Sequence, residues 1–266
     1  MKELKIIVCI KQISDTEGPP TAFEVNTEER KVTPVGIPPI INPFDQNALE
    51  AALRIKKDVP ESKVIAISMG ERLAQPVLRK ALSAGADELI LLQDEYFKDL
   101  DSYSTAYVLS SAIRKIGKYD LILTGRQAAD WNFGQTGLIL AKILQISSIS
   151  LAQKVKVNDN EIVVEKLRRD GYEVVKASMP ALVTVSREIG HLRFVSSKAI
   201  KAGLAKPLNI WGITDLEVGL LQKLKTRRVY ELYVPERRRQ CIFIEGQALE
   251  EKGKNLAIKL KEDGVI

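Results

Sequence analysis

The 266-residue sequence is poor in histidine and cysteine, and both shortages narrow its possible functions. His191 is the one histidine, and no cysteine and histidine residues stand at metal-ligand spacing, so we expect neither a metal site nor histidine-dependent catalysis. The two cysteines, Cys9 and Cys241, are far apart in the chain and fit a reducing compartment better than a disulfide scaffold. The composition therefore favours a cytoplasmic protein.

Long hydrophobic runs are also missing from the sequence. No window reaches the roughly 18 consecutive apolar residues that a membrane-spanning helix needs. The N-terminus enters an apolar, strand-like run at once and lacks the small-residue cleavage site of a secretory signal. We therefore expect no membrane span.

The net charge of +6 raises the question of a nucleic-acid partner. Most lysine and arginine residues are mixed with glutamate in amphipathic helical patterns, and aromatic residues make up only 6% of the chain. Basic residues are densest at 225–228 and 237–239, which we interpret as a solvated or partner-facing segment. The sequence thus predicts no binding of nucleic acid.

Strand-like and helix-like patterns alternate through the first half of the chain. The strand-like runs are short, continuous and rich in β-branched residues, as expected of parallel strands that are buried on both faces. They predict an α/β fold, a doubly wound and mostly parallel sheet with helices on both faces, in which ligands bind beyond the carboxyl ends of the strands. The predicted strands are Leu4–Ile10, Val64–Ser68, Leu89–Leu92 and Leu121–Thr124, and the predicted helices are Gln46–Lys57, Arg72–Ala84 and Ser104–Ile116.

The pattern changes in the second half of the chain. Residues 153–178 predict an antiparallel hairpin extension, and Pro180–Val185 predicts a strand that rejoins the main sheet. From residue 208 the periodicity weakens until a predicted helix at Gln247–Glu262. We interpret residues 1–207 as the nucleotide-binding domain and residues 208–266 as an arm with too little apolar content for a core of its own, which would pack on a partner.

One segment, Asp120–Gly137, combines a strand end, a polar loop and a helix start. The strand ends at Thr124, and a helix is predicted to begin around Gly134–Thr136. Its free N–H groups and positive dipole end would face the tip of the sheet and suit a phosphate, with the Thr136 hydroxyl as a further donor. The spacing matches neither a Walker loop nor GxGxxG, and an ordinary turn before an N-capped helix explains it equally well.

Two further strand ends should lie along the same edge of the sheet. They are Cys9–Gln12 and Ser68–Gly70. Within them Ile10 and Met69 are candidates to sandwich an adenine, although a methionine more often serves packing.

The irregular segment before the first long helix supplies two more candidates. Asn42 is held extended by the following proline and is a candidate to bind a ligand through its amide. Asp45 is predicted to be the N-cap of the helix at Gln46–Lys57.

A series of motifs then gives the sequence a specific resemblance. In order along the chain these are Ile7–Gln12 with Asp15, Ile41–Asp45 with Ala48–Leu53, Val64–Gly70, Ala81–Asp87, Gly125–Asp130 with Gly134–Gly137, and Pro180–Val185. Together they resemble the beta subunits of electron-transfer flavoproteins over nearly the whole length.

This resemblance implies a cofactor and a partner. It implies a heterodimer with a larger alpha subunit that holds FAD, and an electron-carrying subunit without catalytic residues of its own. In ordinary members the beta subunit binds AMP, and in electron-bifurcating members it binds a second FAD beside an NADH site. Carried over to this sequence, the nucleotide contacts would be Cys9, Ile10, Lys11, Asn42, Ser68, Met69, Gly70, Gly125, Arg126, Gln127, Ala128, Asp130, Asn132, Gly134, Gln135, Thr136 and Gly137.

Two segments depart from the family pattern. Bifurcating members have Asp-Gly-Asp-Thr where this chain has Asp130–Phe133, so Asn132 replaces a carboxylate and Trp131 replaces a glycine. The segment that recognises the dehydrogenase would contain Arg193, Phe194 and Ser197. Members that serve acyl-CoA dehydrogenases have a leucine in place of Ser197, which leaves open an acyl-CoA dehydrogenase or another flavoenzyme as the partner.

The arm and the loop bear on which nucleotide this chain binds. The arm resembles that of anaerobe-type and nitrogen-fixation-type members, and Gly134 stands where ordinary members often have a larger asparagine. Both features favour FAD in this chain. The alternatives are a structural AMP, or a regulatory protein that binds an adenine nucleotide without redox function. A stand-alone enzyme is disfavoured, because the sequence has no persuasive pair of carboxylates or nucleophile with a base.

Overall fold

The computed structural model describes residues 3–219, 228–234 and 241–266. Its strands are β1 (Lys5–Cys9), β2 (Gln12–Ser14), β3 (Phe23–Asn26), β4 (Lys31–Pro34), β5 (Pro39–Ile41), β6 (Lys63–Gly70), β7 (Glu88–Gln93), β8 (Leu121–Gly125), β9 (Ser147–Asn158), β10 (Glu161–Arg168), β11 (Gly171–Ser178), β12 (Ala181–Val185) and β13 (Leu208–Trp211). Its helices are α1 (Pro43–Asp58), α2 (Gln75–Leu78), α3 (Lys80–Ala84), α4 (Ser102–Ile116), α5 (Thr136–Leu144), α6 (Ser197–Leu204) and α7 (Leu249–Glu262).

The centre of the molecule is a nine-stranded sheet in the order β11-β10-β9-β12-β8-β1-β6-β7-β13. The strands from β12 to β13 pair in parallel, and their side chains alternate between two hydrophobic cores. Helices α1, α2 and α3 contribute to one core, and α4 and α5 contribute to the other. The predicted doubly wound, mostly parallel sheet with helices on both faces is therefore confirmed.

The antiparallel extension is built from β9, β10 and β11. Strand β9 is longer than the predicted hairpin arm, because its first residues pair in parallel with β12 before the rest pairs with β10. The register shifts along the β9–β12 pair, and Leu151 has a φ of +59° within β9. This irregularity lets one strand belong to the parallel sheet and to the extension. As predicted, the strand after the extension rejoins the main sheet.

The predicted helix at Arg72–Ala84 is wrong as a single element. Pro76 lies in the first turn of α2, which starts three residues late, and a separate short helix, α3, follows at Lys80. Proline favours a first helical turn because its ring fixes φ and the missing N–H needs no partner there. Gly85 ends α3 with a φ of +136°, a conformation that favours glycine at a helix C-terminus.

The first residues of the predicted arm belong to the sheet. Strand β13 pairs in parallel with β7, and Leu216 is buried in the second core. Further on, the predicted C-terminal helix is observed as α7. The basic residues 225–227 and 237–239 lie outside the described residues, so their role in facing a partner stays a prediction. Within the described part of the chain, no helix has the length and apolar character needed to cross a membrane.

Candidate functional site

The candidate site lies where the strand order reverses. Strand β1 is followed in the sheet by β6 and β7 on one side, whereas β8 lies on its other side. In an open α/β sheet the carboxyl ends of the two strands at such a point leave a crevice in which ligands bind. The residues after β1, β6 and β8 thus share one edge, as expected from the sequence.

Asp45 ties two of these strand ends together. Its carboxylate accepts hydrogen bonds from the backbone N–H groups of Lys11, at 2.7 Å, and Gly125, at 2.9 Å. A β-carbon at position 125 would lie 2.4 Å from the Asp45 carboxylate, so only glycine fits there. Burial raises the pKa of Asp45 to about 7, although hydrogen bonds from Asn42, Lys11 and Gly125 oppose the shift.

The predicted role of Asp45 as an N-cap is therefore wrong. Helix α1 starts at Pro43, so Asn42 is the N-cap residue and Asp45 lies inside the first turn. Proline favours the first helical position, so Pro43 could have located the helix start in the sequence.

Asn42 holds the loop that follows β8. Its side chain is completely buried, donates to the carbonyl of Gln127 at 2.9 Å and accepts from the N–H of Ala129 at 3.1 Å. The backbone of Asn42 has a φ of −45° and a ψ of 126°, outside the helical region that a following proline disfavours. In this structure the amide serves the loop itself, and a contact between Asn42 and a nucleotide stays a prediction.

The loop between β8 and α5 is closed by its own contacts. The Gln127 amide donates to the Asn132 side chain at 2.8 Å, and the N–H of Asn132 donates to the carbonyl of Ala128. Lys11 forms an ion pair with Asp130 and so joins the end of β1 to the loop. The loop is therefore attached to the sheet edge from both sides.

An aromatic pair covers the outer side of this loop. The rings of Trp131 and Phe133 stack with a centroid distance of 5.9 Å and an interplanar angle of 13°. Their exposed fractions are 51% and 47%, so each ring presents surface to solvent. The sequence singled out Trp131 alone, because no motif marked Phe133 as its stacking partner.

Helix α5 starts where the sequence predicted, directly at the sheet edge. Thr136 is its first residue, and the N-cap, Gln135, makes no side-chain capping hydrogen bond.

The two glycines nearby have different roles. Gly134 has a φ of +63° and packs against the carbonyl of Arg126, whereas Gly137 brings the helix close to the side chain of Thr124.

Two polar atoms of the predicted contacts are buried without a hydrogen-bond partner in the described structure. These atoms are Oγ of Ser68 and Nε of Arg126. The Arg126 guanidinium lies 5.2 Å from the centroid of the Phe44 ring and reaches Ser186. Unpaired buried polar groups are costly, so these atoms fit a site that gains a polar, anionic ligand. The strand-end rule applied to β12 would have identified Ser186.

The remaining predicted contacts are placed as follows. Ile10 packs in the first core and Met69 against the second, so they lie on opposite faces of the sheet and do not form a sandwich. Burial raises the pKa of the Cys9 thiol, which is neutral at physiological pH. Gly70 ends β6 next to Leu73.

The predicted partner-recognition residues lie in the segment after β12. Arg193 binds Glu50 of α1, Phe194 is 94% exposed, and Ser197 begins α6. The hydrogen bonds of Arg193 join this segment to α1 rather than to the loop at the sheet edge.

The chain is similar to known proteins over most of its length. A family model described as the electron transfer flavoprotein domain matches residues 32–216. The caffeyl-CoA reductase-Etf complex subunit CarD of Acetobacterium woodii is 34% identical over 99% of this chain and 100% of its own length. The electron transfer flavoprotein subunit beta of Thermoanaerobacterium thermosaccharolyticum is 39% identical over 81% of each chain. Protein FixA of Azorhizobium caulinodans is 33% identical over 84% of this chain and 80% of its own.

Proposed function

The chain belongs to the electron transfer flavoprotein family, among its beta subunits and FixA proteins, and from this premise we propose its cofactor and its partners. An adenine nucleotide binds at the carboxyl edge of β1, β6 and β8. The chain pairs with an alpha subunit, and the heterodimer carries electrons between a dehydrogenase and an acceptor.

The observation that carries the nucleotide proposal is the position of the two unpaired polar atoms. Ser68 lies in β6, two residues before its end, and Arg126 directly follows β8, and both strands lead to the same edge. Both atoms are buried, so a ligand reaches them when the loop at 126–135 moves away from the sheet edge. The exposed ion pair between Lys11 and Asp130 is a contact that this movement would break.

Phosphate binding is supported by two neighbouring groups. The uncapped first turn of α5 offers N–H groups and the positive end of the helix dipole. Arg126 brings a guanidinium, and its carbonyl lies against Gly134, two residues before the helix. A helix N-terminus and an arginine at the two ends of one loop offer two positive groups, which would suit two phosphates better than one.

A pyrophosphate site favours FAD over AMP, because FAD contains two phosphates and AMP contains one. FAD, when bound, accepts and releases electrons, and this chain's residues bind and orient it. A flavin here, besides the flavin of the alpha subunit, is also what electron bifurcation would require. A structural AMP is the alternative ligand, and it would supply one phosphate to this edge.

The dehydrogenase partner is proposed to be a flavoenzyme that acts on a CoA thioester, such as an acyl-CoA dehydrogenase. Support comes from the name of the relative from Acetobacterium woodii, which belongs to a caffeyl-CoA reductase complex and is similar over the whole length of both chains.

Co-expression with an alpha subunit tests the proposed function. We expect a copurifying, yellow heterodimer whose flavin is bleached when an acyl-CoA dehydrogenase and its acyl-CoA substrate are added without oxygen. A nucleotide-bound chain that binds no alpha subunit and carries no flavin would support the regulatory alternative instead.

A further inference from the structure

A second buried carboxylate lies in the middle of α1, where it binds Arg54 one turn later and Arg193, which is remote in sequence. Glu50 is only 5% exposed. It accepts three hydrogen bonds from Arg193, from the backbone N–H at 3.1 Å, from Nε at 3.0 Å and from Nη2 at 3.2 Å. Burial alone would raise the pKa of Glu50, but the hydrogen bonds from Arg193 and Arg54 outweigh it and keep the pKa below its usual range. The carboxylate is therefore ionised and strongly bound to Arg193.

The same face of α1 also binds the start of the segment at residues 190–193. Asn47, one turn before Glu50, donates to the carbonyl of Gly190 at 2.6 Å. Asn47 is buried, and Gly190 has a φ of +105°, a conformation that favours glycine. Residues 190–193 are thus fixed to α1 at both ends, although they belong to no helix or strand.

The next residue is the most exposed large hydrophobic side chain of the described structure. Phe194 is 94% exposed and directly follows the anchored Arg193. A large aromatic residue that is held in water by a rigid neighbour resembles the anchors of protein interfaces, which lose little conformational freedom on binding. The charged side chains exposed near it along the chain are mostly basic and include Arg187, Lys198 and Lys201, with Glu188 as the acidic exception.

We propose that Glu50 is a positioning residue for the docking of the dehydrogenase partner. It acts through Arg193 and presents Phe194 to an apolar pocket with an acidic rim on the partner. The proposal rests on the proposed electron-carrying function, because it needs a protein that exchanges electrons with the heterodimer. Glu50 itself lies beneath the surface and touches no partner.

The choice of variant follows from a difference in burial, because the Glu50 carboxylate is buried whereas Arg193 is partly exposed. Removing Arg193 would leave the buried carboxylate with Arg54 as its remaining cation among the described contacts and risk the fold. Removing the charge of Glu50 leaves an arginine that can turn into water. Glu50→Gln keeps the size of the side chain, and Glu173→Gln makes the same change at an exposed ion pair of the extension.

Hydrogen exchange of the purified heterodimer gives the first readout. In Glu50→Gln the amides of residues 191–196 should exchange about ten to a hundred times faster, the loss expected for charged hydrogen bonds. The amides of β1 and β8 should be unchanged, and Glu173→Gln should behave like the wild type. Unchanged exchange at 191–196 in Glu50→Gln would overturn the proposal, whatever the partner is.

Kinetics with an acyl-CoA dehydrogenase and its substrate give the second readout, with the heterodimer as the varied electron acceptor. Glu50→Gln should raise KM by about tenfold and leave kcat unchanged, because a positioning defect weakens docking without changing the redox centres. Phe194→Ala should raise KM similarly, and the double variant should add nothing further. Glu50→Asp should recover part of the loss.

The outcomes separate the two proposals. If Phe194→Ala raises KM and Glu50→Gln does not, docking at Phe194 stands and the role of Glu50 is refuted. If neither variant raises KM while the wild-type heterodimer still accepts electrons, docking at this segment is refuted and the electron-carrying function survives. A wild-type heterodimer that accepts no electrons contradicts the proposed function itself.

Discussion

At the scale of single residues, Asp45 shows how one carboxylate can organise a binding edge. It receives backbone hydrogen bonds from the ends of two strands that are more than a hundred residues apart in the chain, at Lys11 and Gly125. A buried carboxyl group that is ionised carries a large desolvation cost, which explains why burial raises its pKa to about 7. The hydrogen bonds that hold this edge are therefore linked to the protonation of Asp45.

The stability of the chain should depend on this proton. The folded protein keeps it up to about pH 7, whereas the unfolded chain loses it near its ordinary value of 3.8. The free energy of unfolding should therefore fall as pH rises through this window, by up to about 4 kcal/mol, and this contribution should level off above it.

The variant Asp45→Asn provides the measurement. The variant lacks the titrating group, and its amide leaves one of the two backbone N–H groups unpaired at every pH. Urea unfolding, followed by tryptophan fluorescence at several pH values, should show the wild type losing stability relative to the variant as pH rises from about 4 to 7. A constant difference between the two proteins would contradict the assignment.

Sequence reasoning identified most of the residues at this edge but not their contacts. Lys11 and Gly125 were predicted to share this edge because each follows an apolar run, and Asn42 was a separate candidate because a proline follows it. That Asp45 and Asn42 bind the strand end and the loop could not be predicted, since these contacts join segments about 80 residues apart. Only the packing of α1 against β8 brings them together.

At the scale of elements, the position of α5 at the sheet edge depends on close packing at Gly137. A β-carbon there would lie 2.6 Å from the Thr124 hydroxyl and 3.1 Å from Thr184. Gly137→Ala should destabilise the chain by about 1–3 kcal/mol through overpacking, despite the better helix propensity of alanine.

A matched glycine in α7 controls for that propensity. A β-carbon at Gly253 would meet no atom within 4 Å, so Gly253→Ala should be neutral or slightly stabilising. The urea midpoints of both variants test the argument. Equal midpoints for the two variants would show that α5 can shift without cost.

The same helix makes Thr136 the most direct probe of phosphate binding. Thr136→Val keeps the shape of the side chain and removes its hydroxyl at the first helical position. Losing one hydrogen bond to a charged group should cost about 1.5–3 kcal/mol of binding energy and weaken nucleotide retention by about ten- to a hundredfold. Unchanged nucleotide content in the purified variant would remove Thr136 from the site.

The elements themselves were largely predictable, because strands that are buried on both faces have continuous apolar sequences. The split between α2 and α3 was not, since residues 72–84 keep a helical hydrophobic pattern across the break at Arg79. Strand β13 was also missed. Its four residues, Leu208–Trp211, have no long apolar run, and pairing with β7 decides their conformation.

At the scale of the whole molecule, the arm exposes apolar side chains that a partner would cover. Tyr230, Tyr233, Phe243 and Leu249 are all exposed, which is more than isolated surface residues explain. Truncation after Gly219 should leave the nine-stranded sheet folded and should abolish copurification with the alpha subunit. Truncation after Lys206 should also destabilise the domain, because it removes β13 and the buried Leu216.

The two truncations are compared by pull-down with a tagged alpha subunit and by circular dichroism. A chain that ends at Gly219 and still binds the alpha subunit normally would show that the arm has another purpose.

The content of nucleotide per heterodimer tests the central claim most directly. The heterodimer is purified gently and without oxygen, its protein is denatured, and released FAD and AMP are quantified against protein. Binding of FAD at the edge of β1, β6 and β8 predicts about two FAD per heterodimer, one from each subunit, and a loss of one of them in Thr136→Val. One FAD together with one AMP per heterodimer would contradict it.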